Sequence, residues 1–255
     1  MDKKLTTKII TADKVIHLSS IDSTNAELKR QLERGAVEGT VVWAECQEAG
    51  RGRLDRSWVS SEKGIACSVL LTPTELQQAS RYAFVTAVAV AEGITKVTGM
   101  VTGLKWPNDV LLGQKKVCGI LLELCGKQLV IGFGVNVNQE KEDFPLEIQQ
   151  KATSLALELG RKVDKELLLA EILNALEANH FLLQQKGFAI IARKWTELCA
   201  ILDAEVVVSG GGQTEISGRV LGLGEDGALL LQTEAGKKAI ISGDVSLRGK
   251  DKEYI

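Results

Sequence analysis

Short apolar runs and helical periodicities alternate along this chain, and their order sketches a fold. Val15–Leu18 reads as a strand. In the segment 21–35, Thr24 and Glu27 match a capping box and Gly35 a C-terminal stop, which predicts a helix from about Asn25 to Arg34. Thr40–Glu45 and Gly64–Thr72 are strand-like, and the Gly/Arg segment between them has no periodicity and reads as a loop. Pro73 stands at the first turn of a predicted helix that runs through the Ala/Val-rich stretch to about Val97. Three apolar runs, Thr102–Trp106, Val117–Leu124 and Leu129–Asn136, are separated by turn signals and predict a β-meander. Helical periodicity returns over Asp164–Gln185 and again over Phe188–Leu198. Beyond about Ala200 the texture changes to four short β-rich runs (Glu205–Val208, Ile216–Val220, Ala228–Gln232, Lys238–Ile241) punctuated by glycines. That change predicts a small barrel and a domain boundary near residue 200.

Composition narrows the classes. The chain has 255 residues, which suits one large domain or one plus an appendage. Lys+Arg 31 against Asp+Glu 33 leaves no excess positive charge for a general nucleic-acid or anionic-membrane surface. The five cysteines are odd in number and hold no CxxC pair, so reduced thiols in a cytoplasmic protein are the simpler expectation than disulfides or zinc. No segment has the continuous apolar length of a secretory signal or a membrane span.

Several chemistries are missing: there is no GxxxxGK[ST], no HExxH and no GxSxG. His180 falls in an amphipathic helix, where a surface or packing role is expected. Gly222-Leu-Gly224-Glu-Asp-Gly227 matches GxGxxG, but a strand follows it where a dinucleotide site needs a helix, so two tight turns explain it better. Three other segments do carry candidate chemistry. In Glu45–Trp58 (ECQEAGRGRLDRSW), glycines 50 and 52 allow sharp bends. Arginines 51, 53 and 56 supply planar donors for carboxylate or phosphate; the same residues also suit a solvated loop paired with Glu45, Glu48 and Asp55. Gly103–Asp109 (GLKWPND) puts Asn108 and Asp109 where a strand turns, or is a plain hairpin turn with a core tryptophan. Lys115–Glu123 (KKVCGILLE) places a lysine before a strand containing Gly119, either at the mouth of a pocket or simply solvated.

Taken together, GRGR, KWPND and K-x-x-G-I-L, with Ser23-Thr24-Asn25 upstream and Gly132–Asn136 downstream, resemble the biotin–protein ligases over essentially the whole chain. The resemblance implies an α+β fold: a mixed β-sheet with flanking helices, of the class II aminoacyl-tRNA-synthetase-like kind, over residues 1–200. An SH3-like C-terminal barrel would occupy 201–255. It implies two steps: biotin and ATP give biotinyl-5′-AMP, and a lysine of a biotin carboxyl carrier protein then attacks the anhydride. By similarity, Ser23, Thr24, Asn25 and Gln47 would bond the biotin ureido ring. Arg51, Gly52 and Arg53 would form a loop that closes over biotin and the adenylate phosphate. Lys116 would contact carboxylate and phosphate, with Arg51 and Arg53 as its catalytic partners, and Gly119 would leave room for the bicyclic ring. Asp109, Asn136, Trp58 and Arg56 would lie on the nucleotide and Mg²⁺ side, Asp109 as the metal ligand.

Two departures stand out: the loop reads Leu54-Asp55 where a small or basic pair is frequent, and Ser57 replaces a frequent basic residue. An acidic residue there argues against tight ATP binding before biotin. Too few residues precede the first strand for a winged helix-turn-helix, so a monofunctional enzyme that binds neither nucleic acid nor membrane is expected. Exposed strand edges in the meander could support a sheet-extending homodimer. A lipoate–protein ligase shares the adenylation logic, but its glycine-rich, His-containing signature is missing, Gly210–Gly212 having no His after it; a non-catalytic biotin sensor is the alternative of another class.

Overall fold

The computed structural model describes residues 4–54, 56–209 and 215–247. Seven strands form the principal sheet: β1 (Val15–Ile21), β2 (Val41–Gln47), β3 (Ile65–Leu71), β4 (Gly103–Lys105), β5 (Asp109–Leu112), β6 (Lys115–Cys125) and β7 (Gln128–Val135). Their order is β1-β2-β3-β7-β6-β5-β4. β1 and β2 run parallel, joined by helix α1 (Thr24–Glu33), and every other pair is antiparallel, so the sheet is mixed. The meander is real and has four strands where three apolar runs were expected. The fourth, β5, is the Asp109–Leu112 segment lying between two turn signals.

The two faces of this sheet differ in what they carry. Side chains alternate across a strand. One face therefore presents Trp43, Cys67, Val69, Ile131 and Phe133 to α2 (Tyr82–Thr98) and α4 (Lys165–Lys186), forming the main core. Those helices meet closely: a Cβ on Gly93 would stand 2.6 Å from the Ile172 side chain. The other face has large residues only at one end, where Leu28 of α1 covers Val42, Leu70 and Val130. Further along, the same face carries Ala44, Ala66, Ser68, Gly132, Gly134 and Gly119, which leaves a hollow beyond the helix start.

Local signals fared unevenly. The α1 N-cap is Ser23, not Thr24, and its side chain makes no capping bond. The Thr24 hydroxyl turns to Gln47, and the Glu27 carboxylate to Arg30 and Gln31. The segment after Pro73 is a 3-10 turn over Leu76–Arg81, and α2 begins only at Tyr82. A five-residue helix, α3 (Leu155–Leu159), carried no periodicity long enough to read. Helix α5 (Phe188–Glu197) falls where expected. His180 is buried, with Nδ1 2.8 Å from the Tyr82 hydroxyl, a packing role.

A second sheet follows: β8 (Glu205–Ser209), β9 (Ile216–Leu223), β10 (Leu229–Thr233), β11 (Gly236–Ile240) and β12 (Asp244–Leu247), in the order β11-β10-β9-β8-β12. The expected barrel is not closed, because its end strands β11 and β12 are not paired. Only residues 241–243 join those ends, a reach of at most about 14 Å, so the sheet must curl back on itself. The GxGxxG segment is the β9–β10 turn, with Gly222 and Gly227 at φ +122° and +85°. Gly227 also receives the Phe84 ring, where a Cβ would stand 2.6 Å away, and its carbonyl accepts from Trp106 Nε1 at 3.2 Å. The motif therefore seats one sheet against the other. Residues 198–200 bond along β4 through Leu104 at the meander's outer edge.

The segment before β1 is fastened to α4. The Glu177 carboxylate, 3% exposed, accepts the backbone N–H of Lys8, Ile9 and Ile10 at 2.5, 2.6 and 2.8 Å. Glu177→Ala should strip three backbone donors, that of Ile10 fully buried, of their acceptor, costing about 3 kcal/mol and lowering Tm by roughly 6–12 °C. A melting curve within about 2 °C of wild type would show that the carboxylate anchors nothing.

Candidate functional site

A cavity of about 450 Å³ occupies the hollow. Its floor is a cross-strand row. Ala44, Ala66, Gly134, Gly119, Asp109 and Lys105 are successive partners across β2, β3, β7, β6, β5 and β4, and so share one face. The row passes from methyl groups through two glycines to a carboxylate and then an ammonium.

The end near α1 is lined by uncharged polar side chains, with the Glu123 carboxylate behind Asn25 paired to Lys29. Gln47 Oε1 accepts from Thr24 N–H at 2.8 Å and Thr24 Oγ1 at 3.0 Å. A backbone N–H can only donate, so the Gln47 amide is fixed with its NH₂ free. Asn25 rests on Gly132, where a Cβ would come within 2.2 Å of its Oδ1. Its Nδ2 donates to Glu123 Oε2 at 2.7 Å, and Ser68 Oγ donates to its Oδ1 at 2.6 Å. Burial opposes the charge on Glu123, but hydrogen bonds from Lys29 and Asn25 outweigh it and hold the carboxyl below its ordinary pKa.

The Gly/Arg segment is a tight hairpin over this floor. Trp58 N–H donates to Gly50 O at 2.9 Å and Gly52 N–H to Arg56 O at 2.6 Å. A Cβ on Gly50 would stand 2.5 Å from Trp58 O, so glycine is required there. Leu54 sits at the turn with φ +53° and is exposed; Asp55 lies outside the described residues. The Trp58 indole lies on the glycines, 2.4 Å from a Cβ placed on Gly134 and 3.1 Å from one on Gly119. Gly119 leaves room for the tryptophan and the Lys116 chain.

The far end is cationic. Lys116 Nζ is 2.6 Å from Asp109 Oδ1 and 5.7 Å from the Trp58 ring centre. Arg51 reaches Glu123 at 3.5 Å, Arg53 donates to Asn108 Oδ1 at 3.3 Å, and Arg56 pairs with Asp244 of β12. Lys105 also lines the cavity and has no ion pair or hydrogen bond among the described residues. Loss of water lowers its pKa, Lys116 adds to the lowering, and Asp109 opposes it. Such a site can hold a neutral polar ring at one end and concentrate anions at the other.

Of the residues expected at the site, Ser23, Thr24, Asn25, Gln47, Arg51, Gly52, Arg53, Arg56, Trp58, Asp109, Lys116 and Gly119 all line this cavity. Asn136 does not. It is buried behind the wall and donates to Thr153 O at 3.0 Å, because its place at the end of β7 turns it toward the segment before α3. Sequence reasoning passed over Lys105, although it stands in the KWPND segment, and had Asn108 only as a polar residue at the strand turn. It had no signal for Asp244, which arrives from the second sheet.

Residues 18–138 match the Biotin/lipoate A/B protein ligase family, and residues 201–248 match the Biotin protein ligase C terminal domain. The chain is 36% identical over 252 residues to the bifunctional ligase/repressor BirA of Bacillus subtilis, spanning 95% of this chain and 76% of that one. It is 34% identical to the biotin–[acetyl-CoA-carboxylase] ligase of Paracoccus denitrificans, covering 91% of this chain and all of that one. The solved biotin protein ligase from Aquifex aeolicus in complex with biotin and ATP superposes with a TM-score of 0.84 at 38% identity. That match covers 92% of this chain and 98% of that one. Fold and cavity define an α+β ligand-binding domain of the biotin and lipoate ligase class. Within that class, the chain belongs to the biotin protein ligase family.

The hairpin is held by two partly exposed ion pairs, Arg51–Glu123 and Arg56–Asp244, each worth roughly 0.2–1 kcal/mol. Removing both, as Glu123→Gln with Asp244→Asn, should raise trypsin cleavage after Arg51, Arg53 and Arg56 by roughly two- to thirtyfold. Unchanged cleavage would mean that the backbone bonds alone hold the hairpin.

Proposed function

We propose that this protein activates biotin with ATP to biotinyl-5′-AMP and transfers the biotinyl group to a lysine of a biotin carboxyl carrier protein. The observation that carries the reading is the graded cavity. Neutral hydrogen-bonding groups at one end give way to two glycines under an indole, then to Lys116 with Asp109, then to unpaired positive charge. Biotin has the same grading, a cyclic urea, an aliphatic chain and a carboxylate, and ATP extends the negative end. Relatives named as biotin ligases favour biotin over lipoate.

In this reading Gln47 offers its free NH₂ to the ureido oxygen, with Ser23, Thr24 and Asn25 completing the ring's partners. The Lys116 ammonium stands where carboxylate and α-phosphate meet and offsets their mutual repulsion as the anhydride forms. Arg53 and the Gly52 backbone close over the adenylate, and Arg56 and Trp58 border the nucleotide. Asn136 supports the wall from behind. Magnesium fits the site modestly: Asp109 Oδ1, which takes no hydrogen bond, is ion-paired with Lys116 Nζ at 2.6 Å, so a metal there would share the carboxylate with the lysine. Nucleotide-bound Mg²⁺ commonly uses one or two carboxylates with phosphate and water. When bound there it would screen phosphate charge, and Asp109 would hold it. Division into units 1–200 and 201–255 belongs to the same proposal, with the second unit supplying Asp244 and Val245 to the cavity wall.

The deciding assay is pyrophosphate release with biotin, lipoate or octanoate in parallel, followed by labelling of a biotin carrier domain. Release with lipoate and not biotin would point to a lipoate ligase, and no release with any acid would point to a sensor. Lys116→Ala should slow release a hundred- to thousandfold, the loss of ~3–4 kcal/mol of transition-state electrostatics; near-normal release from the folded variant would displace the lysine from this role. Arg53→Gly should still form the adenylate but lose it faster. One charge-assisted hydrogen bond of roughly 1.5–3 kcal/mol corresponds to a ten- to hundredfold higher off-rate. The escaped acyl donor should then biotinylate an unrelated lysine-rich protein, which streptavidin blotting reads; labelling equal to wild type counts against the lid.

A further inference from the structure

The cations of this cavity are not equivalent. Arg51, Arg56 and Lys116 each hold a carboxylate, and Arg53 holds an amide oxygen. Lys105 holds nothing among the described residues, although two acids stand near it. Asp109, its direct partner in the β4–β5 register, is engaged by Lys116, and Asp244 by Arg56. An ammonium brought out of water without a partner is costly. Its place in the row says what kind of partner is missing. Lys105 stands two strands beyond Gly119, roughly 10 Å at ordinary strand spacing, on the side away from the uncharged end. Lys116 lies between the two.

We propose that Lys105 binds the pyrophosphate portion of ATP and steadies it as the leaving group, while Lys116 serves the carboxylate and the α-phosphate. This rests on the biotin-activating reading above. In the step concerned, a carboxylate oxygen attacks the α-phosphorus and a new P–O bond forms. The bond from that phosphorus to the oxygen bridging to the β-phosphate breaks, and its electron pair departs on pyrophosphate; no proton moves. Charge therefore builds on the β-phosphate side, beyond Lys116, where Lys105 is the cation with no protein counterion. Once pyrophosphate has gone, Lys105 has no part in the second step, in which the carrier lysine attacks the acyl carbon and AMP leaves. Lys116, beside the remaining phosphate, serves both.

The assignment separates the two half-reactions. Lys105→Met keeps the length of the chain and removes the charge. It should slow biotin-dependent pyrophosphate release ten- to a hundredfold and raise the inhibition constant of added pyrophosphate by a similar factor. It should transfer synthetic biotinyl-5′-AMP to the carrier at the wild-type rate, which also shows that the variant is folded. Lys105→Arg should recover most of the pyrophosphate release. Equal slowing of both half-reactions, or unaltered pyrophosphate release and inhibition, would overturn the proposal. Failure of the wild-type chain to release pyrophosphate with biotin would instead overturn the activity on which it rests.

Discussion

The site depends on one steric constraint: the middle of a cross-strand row must carry no side chain. Gly119 and Gly134 are direct partners on β6 and β7; a Cβ on Gly134 would enter the Trp58 indole, and one on Gly119 would press on the indole and on the Lys116 chain at 3.1 Å. With those positions empty, the indole lies against the sheet, and the hairpin that bears it is drawn down over the cavity. A methyl group at Gly134 would push Trp58 outward and move Arg51, Arg53 and Arg56 with it, since all four belong to one backbone-bonded turn. Packing on the opposite face makes this sparse surface tolerable. The sheet's stability comes from the large core beneath α2 and α4, and α1 seals only Leu28, Val42, Leu70 and Val130. The hollow is what remains where that sealing stops.

Charge is arranged by the same geometry. The uncharged end is stiffened by bonds whose direction is forced: Thr24 N–H must donate to Gln47, and the Glu123 carboxylate must accept from Asn25. The cationic end is held by ion pairs with other segments, Lys116–Asp109 and Arg56–Asp244, while Arg51 reaches back to Glu123 beside α1. A ring recognised by hydrogen bonds needs fixed partners, because a misdirected donor costs as much as a missing one. Phosphates need partners able to exchange, and partly exposed ion pairs of small net worth exchange readily. The second sheet takes part here, because Asp244 comes from β12 and the sheet is seated by Gly227 against Phe84 and Trp106.

Most strands and long helices were legible in the sequence because their apolar periodicity records burial against one neighbour. Gly35 as the α1 stop and the turns of the GxGxxG segment are local facts and could be read locally. The start of α2 could not, because Pro73 signals a helix without saying that a 3-10 turn comes first. Thr24 and Glu27 imitate a capping box, but a tertiary partner, Gln47, takes the threonine. At the site, GRGR, KWPND and the Lys116–Gly119 segment were visible as motifs. Which of their residues face the cavity was not, because that follows from the β4–β7 register. Asn136 shares its motif with Gly132 and Gly134 yet points away from them, while Lys105, passed over, faces in.

The register also explains how one cavity could serve two reactions without rebuilding itself. A row six residues wide gives each part of an extended ligand its own strand, with neighbours only about 5 Å away. Moving a reacting group by one strand changes its partner from glycine to carboxylate or from carboxylate to ammonium. On the proposed reading the adenylate would occupy less of the row than ATP, so loss of pyrophosphate would empty the β4 end and leave the β6 and β7 contacts in place. An incoming carrier lysine would then meet an acyl group still held by the bonds that first oriented its acid. Orientation, once fixed by the rigid end, need not be established again for the second step.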